Sequence, residues 1–106
     1  MSALDRLKKE HGAPLRLVIR TNGTIEKLAK PIGINAVHAT IKASTLDTVN
    51  LIDRIHVMLL DDVGHDKRLP VNDEATKLYL DRCMPGATHQ IRGDVVIVPD
   101  SDFSVL

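Results

Sequence analysis

The chain has 106 residues, of which 43% are hydrophobic, and its 14 basic and 14 acidic side chains cancel at neutral pH. This length suits a single domain, and the neutral balance excludes a global field that would draw the protein to nucleic acid or to an acidic membrane. The aromatic residues are one Tyr and one Phe. Aromatic platforms of the kind that stack single-stranded bases are therefore nearly excluded as well.

Cysteine usage and the N-terminus predict the compartment. Cys83 is the single cysteine, so no internal disulfide can form, as is usual in a reducing compartment. The first residues lack the apolar core of a signal peptide, and no run approaches the ~20 apolar residues of a membrane-spanning helix. We expect a cytoplasmic protein without a membrane partner. No motif points to a cofactor.

The first part of the chain predicts a short helix followed by a β-hairpin. Residues 1–14 contain Ser2 as a helix cap and Gly12 as a stop, and they form an N-terminal helix or extension. Apolar residues then alternate from Leu15 onward, and Asn22-Gly23 separates this run from a second β-rich run. Asn-Gly favours a type I′ turn. We predict a β-hairpin here.

The middle of the chain predicts one helix and two strands. Residues 34–43 fit a short helix with Asn35 as its N-cap, although their spacing also fits a strand. Residues 45–51 are rich in β-branched side chains, and residues 55–60 form an apolar run broken by His56. Two strands are the best interpretation of these runs.

The last part predicts a loop, a helix and a strand. Residues 61–68 are polar, and Asn72 can then cap a helix that ends before Pro85-Gly86. A cap alone predicts a cost of about 1 kcal/mol for Asn72→Ala. Residues 95–98 form a final buried strand. The expected fold is one α+β domain over residues 15–103, with a mixed sheet of about five strands, two or three short helices on one face, and a tail at residues 104–106.

Several motifs in the chain resemble those of one protein family. Leu69-Pro70-Val71-Asn72 is followed by Ala75-Thr76, Gly93-Asp94 precedes the aliphatic run at 95–98, and residues 18–24 open the domain. This ordered set resembles an uncharacterised family of small proteins from bacteriophages, plasmids and bacterial genomes, over about residues 15–103. The resemblance implies a phage or mobile-element source, where small accessory proteins often bind and inhibit a host component. It carries over no site residue. We assign structural roles to Asn22, Gly23, Pro70, Asn72 and Gly93.

An acid-rich segment is the first candidate site. Asp61, Asp62, His65 and Asp66 offer carboxylates and an imidazole to a hard metal ion. With a metal-held water, they would support a phosphoester or nucleotide hydrolase. The favoured alternative is a solvated turn in which Asp and Gly serve the backbone.

A basic hairpin is the second candidate site. Arg16, Arg20, Lys27 and Lys30 could present a strip to a partner, a ligand or the phosphates of a nucleic acid. The favoured alternative is that these charges solvate and protect an edge of the sheet. The hairpin edge could also add a strand from a partner or make a homodimer.

No set of residues has the spacing of a catalytic site. The five His residues are scattered, and His56 is best interpreted as an outward-facing or hydrogen-bonded strand residue, with Cys83 as a small core residue. We therefore expect a non-enzymatic binding or inhibitor protein of a phage or mobile element, acting on a host protein or small ligand, including an anti-defence role. The alternatives are the metal-dependent hydrolase and a weak nucleic-acid binder.

Overall fold

The computed structural model describes residues 2–103. Its elements in chain order are α1 (Ala3–His11), β1 (Leu17–Ile19), β2 (Ile25–Lys27), α2 (Ile34–Ile41), β3 (Leu46–Asn50), β4 (His56–Asp61), α3 (Asp73–Arg82), β5 (Val95–Pro99) and the 3-10 helix η1 (Asp100–Asp102). The strands form one five-stranded sheet in the order β2-β1-β5-β4-β3. The prediction of a single α+β domain with about five strands, an N-terminal hairpin and two or three short helices is confirmed, with five strands and three helices observed.

The sheet is antiparallel throughout the described residues, so the expectation of a mixed sheet is wrong. Each neighbouring pair of strands runs in opposite directions. The chain leaves β4, passes through α3, and returns so that Val96 lies opposite Leu59 near the end of β4. The long connections on both sides of α3 permit this return, whereas a parallel neighbour would require β5 to begin at the other end of the sheet.

Helices cover both faces of the sheet, which corrects the expectation of helices on one face. Leu4 and Leu7 of α1 and Leu78 of α3 share one core cluster with the β-strand residues of one face. Val37 and Ile41 of α2 belong to a second cluster on the opposite face. Strands covered on both faces have no polar side, which is why β1, β4 and β5 are buried along their whole length. The N-terminal helix is thus part of the packed domain.

The hairpin turn differs in type from the expected I′ turn. The Gly23 N–H donates to the Arg20 carbonyl, and the Arg20 N–H donates to the Thr24 carbonyl. Gly23 has a φ of 89°, whereas Asn22 is not among the residues with positive φ. This is the three-residue loop with a glycine bulge. Asn22 stabilises it differently from expectation, because its Oδ1 accepts the Thr24 N–H at 2.9 Å.

Two of the three expected helix caps are present. Ser2 accepts the Asp5 N–H at the start of α1, and Asn72 accepts the Ala75 N–H at the start of α3. Asn35 is not the cap of α2, because that helix begins one residue earlier, at Ile34, with Gly33 as its N-cap. Glycine is an accepted residue at this position even without a side-chain bond. The expected tail at 104–106 lies outside the described residues.

Candidate functional site: a cleft at the β3–β4 turn

An open cleft of about 530 Å³ lies where the β3–β4 turn meets the ends of α3 and β5. The turn supplies Ile52, Arg54 and Ile55 to its wall, α3 supplies Arg82, and η1 supplies Asp100. We call this space the cleft. It is the larger of the two best-formed cavities among residues 2–103, the other being about 200 Å³. A cavity of this size falls within the range of ligand sites.

The turn that forms the cleft wall has a tightly fixed backbone. The Arg54 N–H donates to the Leu51 carbonyl at 3.0 Å, and Arg54 itself has a left-handed φ of 59°. Asp53 Oδ1 accepts the N–H groups of Ile55 and His56, each at 2.9 Å. A carboxylate that bonds the backbone two and three residues ahead is the usual stabiliser of such turns. The side chain of Arg54 is therefore presented from a defined position.

His56 lies at the back of the cleft, and both of its ring nitrogens are engaged. Its Nε2 accepts the Leu15 N–H at 2.8 Å. A nitrogen that accepts a hydrogen bond carries no proton, so the proton of the neutral ring is on Nδ1, which donates to Asp53 Oδ2 at 2.7 Å. The side chain is 2% exposed. The prediction of a hydrogen-bonded strand residue is thus confirmed, whereas the outward-facing alternative is wrong.

Asp53 connects this turn to α1. Lys8 Nζ lies 2.8 Å from the same Asp53 oxygen that His56 contacts. Partial burial raises the pKa of the Asp53 carboxyl, but the hydrogen bonds from the His56 N–H, the Lys8 ammonium, the His56 ring and the Ile55 N–H outweigh burial and hold that pKa well below its usual range. The carboxylate therefore stays ionised and fixes the position of the ring.

Two cations of the cleft have no acidic partner. Among residues 2–103, the guanidinium of Arg54 makes no hydrogen bond or ion pair, and that of Arg82 lies 5.9 Å from the centre of the Tyr79 ring without pairing with an acid. Two acidic side chains line the same cleft, Asp81 and Asp100. One oxygen of Asp81 is already bound by the Ala3 N–H at 2.9 Å. The cleft thus offers both donors and acceptors to a ligand.

The expected basic strip is not a set of free cations. Arg16 donates two hydrogen bonds to Asp102, at 2.9 and 2.8 Å, and this pairing raises the pKa of Arg16 above its ordinary value. Arg20 is held by Glu26 and Asp94. Lys27 and Lys30, the other two members, are exposed. The structure leaves only those two lysines of the predicted set without an ion pair among the described residues.

The candidate metal ligands do not form one cluster among the described residues. Asp61 is 4% exposed, and its two oxygens accept the Val63 N–H at 2.9 Å and pair with Lys67 at 2.7 Å. Asp62 and Asp66 are exposed. Over residues 2–103, no group of three or more His, Cys, Asp or Glu side chains has the geometry to hold a metal ion. Asp61 thus serves the backbone of the turn, as in the favoured alternative, but its side chain is buried rather than solvated.

His65 completes that set and has separate contacts. Its Nε2 lies 3.0 Å from the Gln90 carbonyl, and its ring centre lies 4.9 Å from that of His89. These contacts tie the loop after β4 to the segment before β5. They give His65 a role in joining two loops rather than in assembling Asp61, Asp62 and Asp66 into one ligand set.

Comparison of the chain with protein-family models, with curated proteins and with solved structures found no match. Across residues 2–103, none of the helices has the length and apolar character needed to cross a bilayer. The case for function therefore rests on the geometry of the cleft and its neighbours.

Sequence reasoning missed the cleft, although part of its signal is visible in the chain. Ile52 and Ile55 flank Asp53-Arg54, which lies between the two runs that we interpreted as strands. Two large apolar residues on both sides of a turn are unusual, because turn residues are mostly polar or small. The spacing of Asp53 and His56 also suggests a local hydrogen bond. The contribution of Arg82 depends on packing and has no local signal.

Proposed function

We propose that this protein is a non-enzymatic binding protein and that the cleft receives a segment of a partner protein. The observation that carries the proposal is the Ile52-Asp53-Arg54-Ile55 turn. It presents an arginine that has no acidic partner among residues 2–103, between two isoleucines that are 50% and 57% exposed. Arginine is enriched among the residues that dominate binding energy at protein interfaces.

The distribution of apolar surface supports this location. Four large hydrophobic residues are exposed among residues 2–103, and two of them, Ile52 and Ile55, lie on this one turn. Single exposed apolar residues need no explanation, whereas a cluster beside a cavity is typical of an interaction site. The pairing of Arg16 and Arg20 with carboxylates leaves the predicted hairpin strip a weaker candidate.

The state of His56 supports binding rather than catalysis at the cleft. A general base needs a ring nitrogen that can accept a proton from a substrate. Nε2 of His56 instead accepts the Leu15 N–H, and Nδ1 faces Asp53. The imidazole can serve as a base only if it gives up a buried hydrogen bond. An inhibitory action on a host protein, in a phage or mobile element, extends this proposal and rests on the sequence resemblance alone.

Capture of partners with matched variants tests the proposal. Immobilised wild-type protein, the Ile52→Ser/Ile55→Ser variant and the Ile34→Ser variant are exposed to lysate of the source cell or its host. Bound proteins are then quantified by mass spectrometry. Ile34 is a suitable control because it is also exposed, at 46%, but belongs to α2. We expect the double variant to lose a specific partner by about tenfold or more, as for truncation of a central interface residue, and Ile34→Ser to retain it.

The proposal fails if the Ile52→Ser/Ile55→Ser variant captures the same proteins in the same amounts as the wild type. Circular dichroism and urea unfolding of each variant show whether it is folded, so that loss of the fold is not mistaken for loss of binding. Arg54→Ala gives a second arm with no apolar change, and it should weaken the same partner.

A further inference from the structure

Within residues 2–103, β3 is an edge strand that pairs with β4 on one side only. Its side chains Asp47, Thr48 and Asn50 are exposed. The backbone groups on its outer side are available for pairing with another chain, which is the usual consequence of an unpaired sheet edge.

The hydrogen bonds at both ends of β3 show which backbone groups point outward. The Leu51 N–H donates to the His56 carbonyl, and the Asp62 N–H donates to the Thr45 carbonyl. In an antiparallel pair, alternate residues bond to the partner strand. The backbone groups of Leu46, Thr48 and Asn50 therefore point away from β4, to the free edge.

The opposite edge of the sheet is a poorer site for strand addition. The same reasoning applied to β2, from the Leu28 N–H to Arg16 carbonyl bond, leaves outward backbone groups only at Ile25 and Lys27 of its three residues. β3 offers a longer free edge. We therefore favour β3 over the N-terminal hairpin as the edge that pairs with another chain. β3 lies at the opposite edge of the sheet.

Asp47 masks the centre of the β3 edge. Its Oδ1 accepts the Thr48 N–H at 2.8 Å, which occupies an outward donor with a side chain of the same strand. A charged side chain at this position is a common protection against unwanted strand pairing. The bond is local and exposed, so an incoming strand can displace it.

The free edge of β3 continues into the cleft. Asn50, the last outward residue of β3, lines the cleft together with Ile52. A strand laid along β3 therefore ends beside Arg54 and Arg82, the two cations of the cleft that pair with no acid in the described part of the chain. Asp81 and Asp100 balance their formal charge, so an anionic side chain would be recognised by local pairing with the guanidinium groups rather than by long-range attraction.

We propose that an extended peptide segment of the partner protein adds as a sixth strand along β3 and places a Glu or Asp side chain against Arg54 and Arg82. This deepens the proposed function and rests on it. Main-chain hydrogen bonds to Leu46, Thr48 and Asn50 would supply affinity, and the acidic anchor in the cleft would supply specificity.

Fluorescein-labelled synthetic heptapeptides of alternating Val and Thr, with one Glu scanned through the positions, are the probe. Fluorescence anisotropy reports their binding to the full-length protein. In Thr48→Pro the outward N–H is removed, yet no β3–β4 hydrogen bond is lost, because that N–H does not face β4. We expect Thr48→Pro to weaken binding at least about tenfold, and Thr48→Ala, which keeps the N–H, to change it little.

Three further comparisons identify the contacts. Asp47→Ala removes the competing carboxylate and should tighten binding by about threefold to tenfold, which a merely structural role would not produce. Replacing the peptide Glu by Gln should weaken binding by about tenfold with the wild-type protein, and by much less with Arg54→Gln/Arg82→Gln. A peptide methylated at alternate backbone nitrogens should bind at least about tenfold more weakly.

The strand-addition proposal is overturned if no peptide binds the wild type or Asp47→Ala, or if Thr48→Pro and backbone methylation leave binding unchanged. It is also overturned if sedimentation velocity shows a dimer of this chain that Thr48→Pro dissociates, because a second copy would then occupy the edge. If capture of a partner is weakened by Ile52→Ser/Ile55→Ser but not by Thr48→Pro, the proposed function is supported and strand addition is not.

Discussion

The backbone N–H of Leu15 donates a hydrogen bond to Nε2 of His56 at 2.8 Å, across a separation of 41 residues. Leu15 follows α1, and His56 begins β4. Through Asp53, the same imidazole is coupled to Lys8. One buried side chain therefore holds the N-terminal helix against the turn that forms the cleft wall.

Replacement of this imidazole should destabilise the whole domain. His56→Ala leaves the Leu15 N–H buried without a partner and opens a cavity, and together these should lower the free energy of unfolding by about 3 kcal/mol. Urea unfolding at pH 7 measures the change. Lys30→Ala, at an exposed position whose side chain makes no ion pair among residues 2–103, is the control, with an expected change within about 0.5 kcal/mol. Equal effects of the two substitutions would contradict a structural role for His56.

Asp53 should make stability depend on pH in the acid range. The ordinary unfolded value for Asp is about 3.9, and the pKa of the folded carboxyl lies well below it. The unfolded chain therefore binds the proton more readily, so the stabilisation is complete above the unfolded value and is lost as pH falls through the folded one.

The comparison of Asp53→Asn with the wild type measures this dependence. The variant should be less stable at pH 7, and the difference should shrink as the pH falls from about 5 towards 2. Urea unfolding at several pH values gives both curves. Asp66→Asn, at an exposed side chain, should show a small and nearly constant difference. A constant gap for Asp53→Asn would show that its carboxylate is not selectively stabilised in the folded state.

The order of the elements was predictable because their signals are local. The caps at Ser2 and Asn72 and the apolar run at 95–98 each depend on neighbouring residues, and each is observed. The direction of β5 and the face on which α2 packs depend on contacts between distant segments. A short apolar helix such as α2 carries no local information about which face of a sheet it covers.

The candidate site also depends partly on local signals and partly on contacts between distant segments. Arg16 and Arg20 formed part of a candidate basic strip, but Arg16 pairs with Asp102 and Arg20 with Glu26 and Asp94. Two of these partners, Asp102 and Asp94, are distant in the chain. Charges that are separate in sequence neutralise each other only once the fold brings them together. Arg54 differs from these two arginines. Its neighbours in the chain fix its backbone, but no described side chain pairs with its guanidinium.

Gly93 should be more sensitive to substitution than Gly23, although both have left-handed backbones, with φ of 87° and 89°. A Cβ at residue 93 would lie 2.8 Å from Cδ1 of Leu69, whereas a Cβ at residue 23 would meet nothing within 4 Å. Each substitution should therefore cost about 1 kcal/mol of backbone strain, and Gly93→Ala should cost about 0.5 kcal/mol more because the end of the Leu69 side chain must turn aside. Thermal and urea unfolding measure both. A larger loss at Gly23 would contradict the role of Leu69.

Asn72→Ala should cost more than a helix cap alone, because the Asn72 side chain makes three buried bonds. Its Oδ1 accepts the Ala75 N–H at 3.1 Å, and its Nδ2 donates to the carbonyls of Ile19 and Gly93, each at 3.0 Å. The side chain thus joins α3 to β1 and to the segment before β5. Loss of the cap and of both donors should lower the free energy of unfolding by about 3 kcal/mol, rather than the 1 kcal/mol or so of a cap.

Asn72→Ser separates the two contributions. Serine retains an oxygen that can cap α3 but cannot supply both bonds to Ile19 and Gly93, so its loss should lie between zero and that of Asn72→Ala. Asp73→Asn, in the exposed first turn of the same helix, is the matched control and should lose about 0.5 kcal/mol or less. If Asn72→Ala and Asn72→Ser lost the same small amount as this control, the bonds from Nδ2 would contribute little to stability. A loss in Asn72→Ala well above that in Asn72→Ser would instead identify these two donor bonds as the main reason for an asparagine at this position.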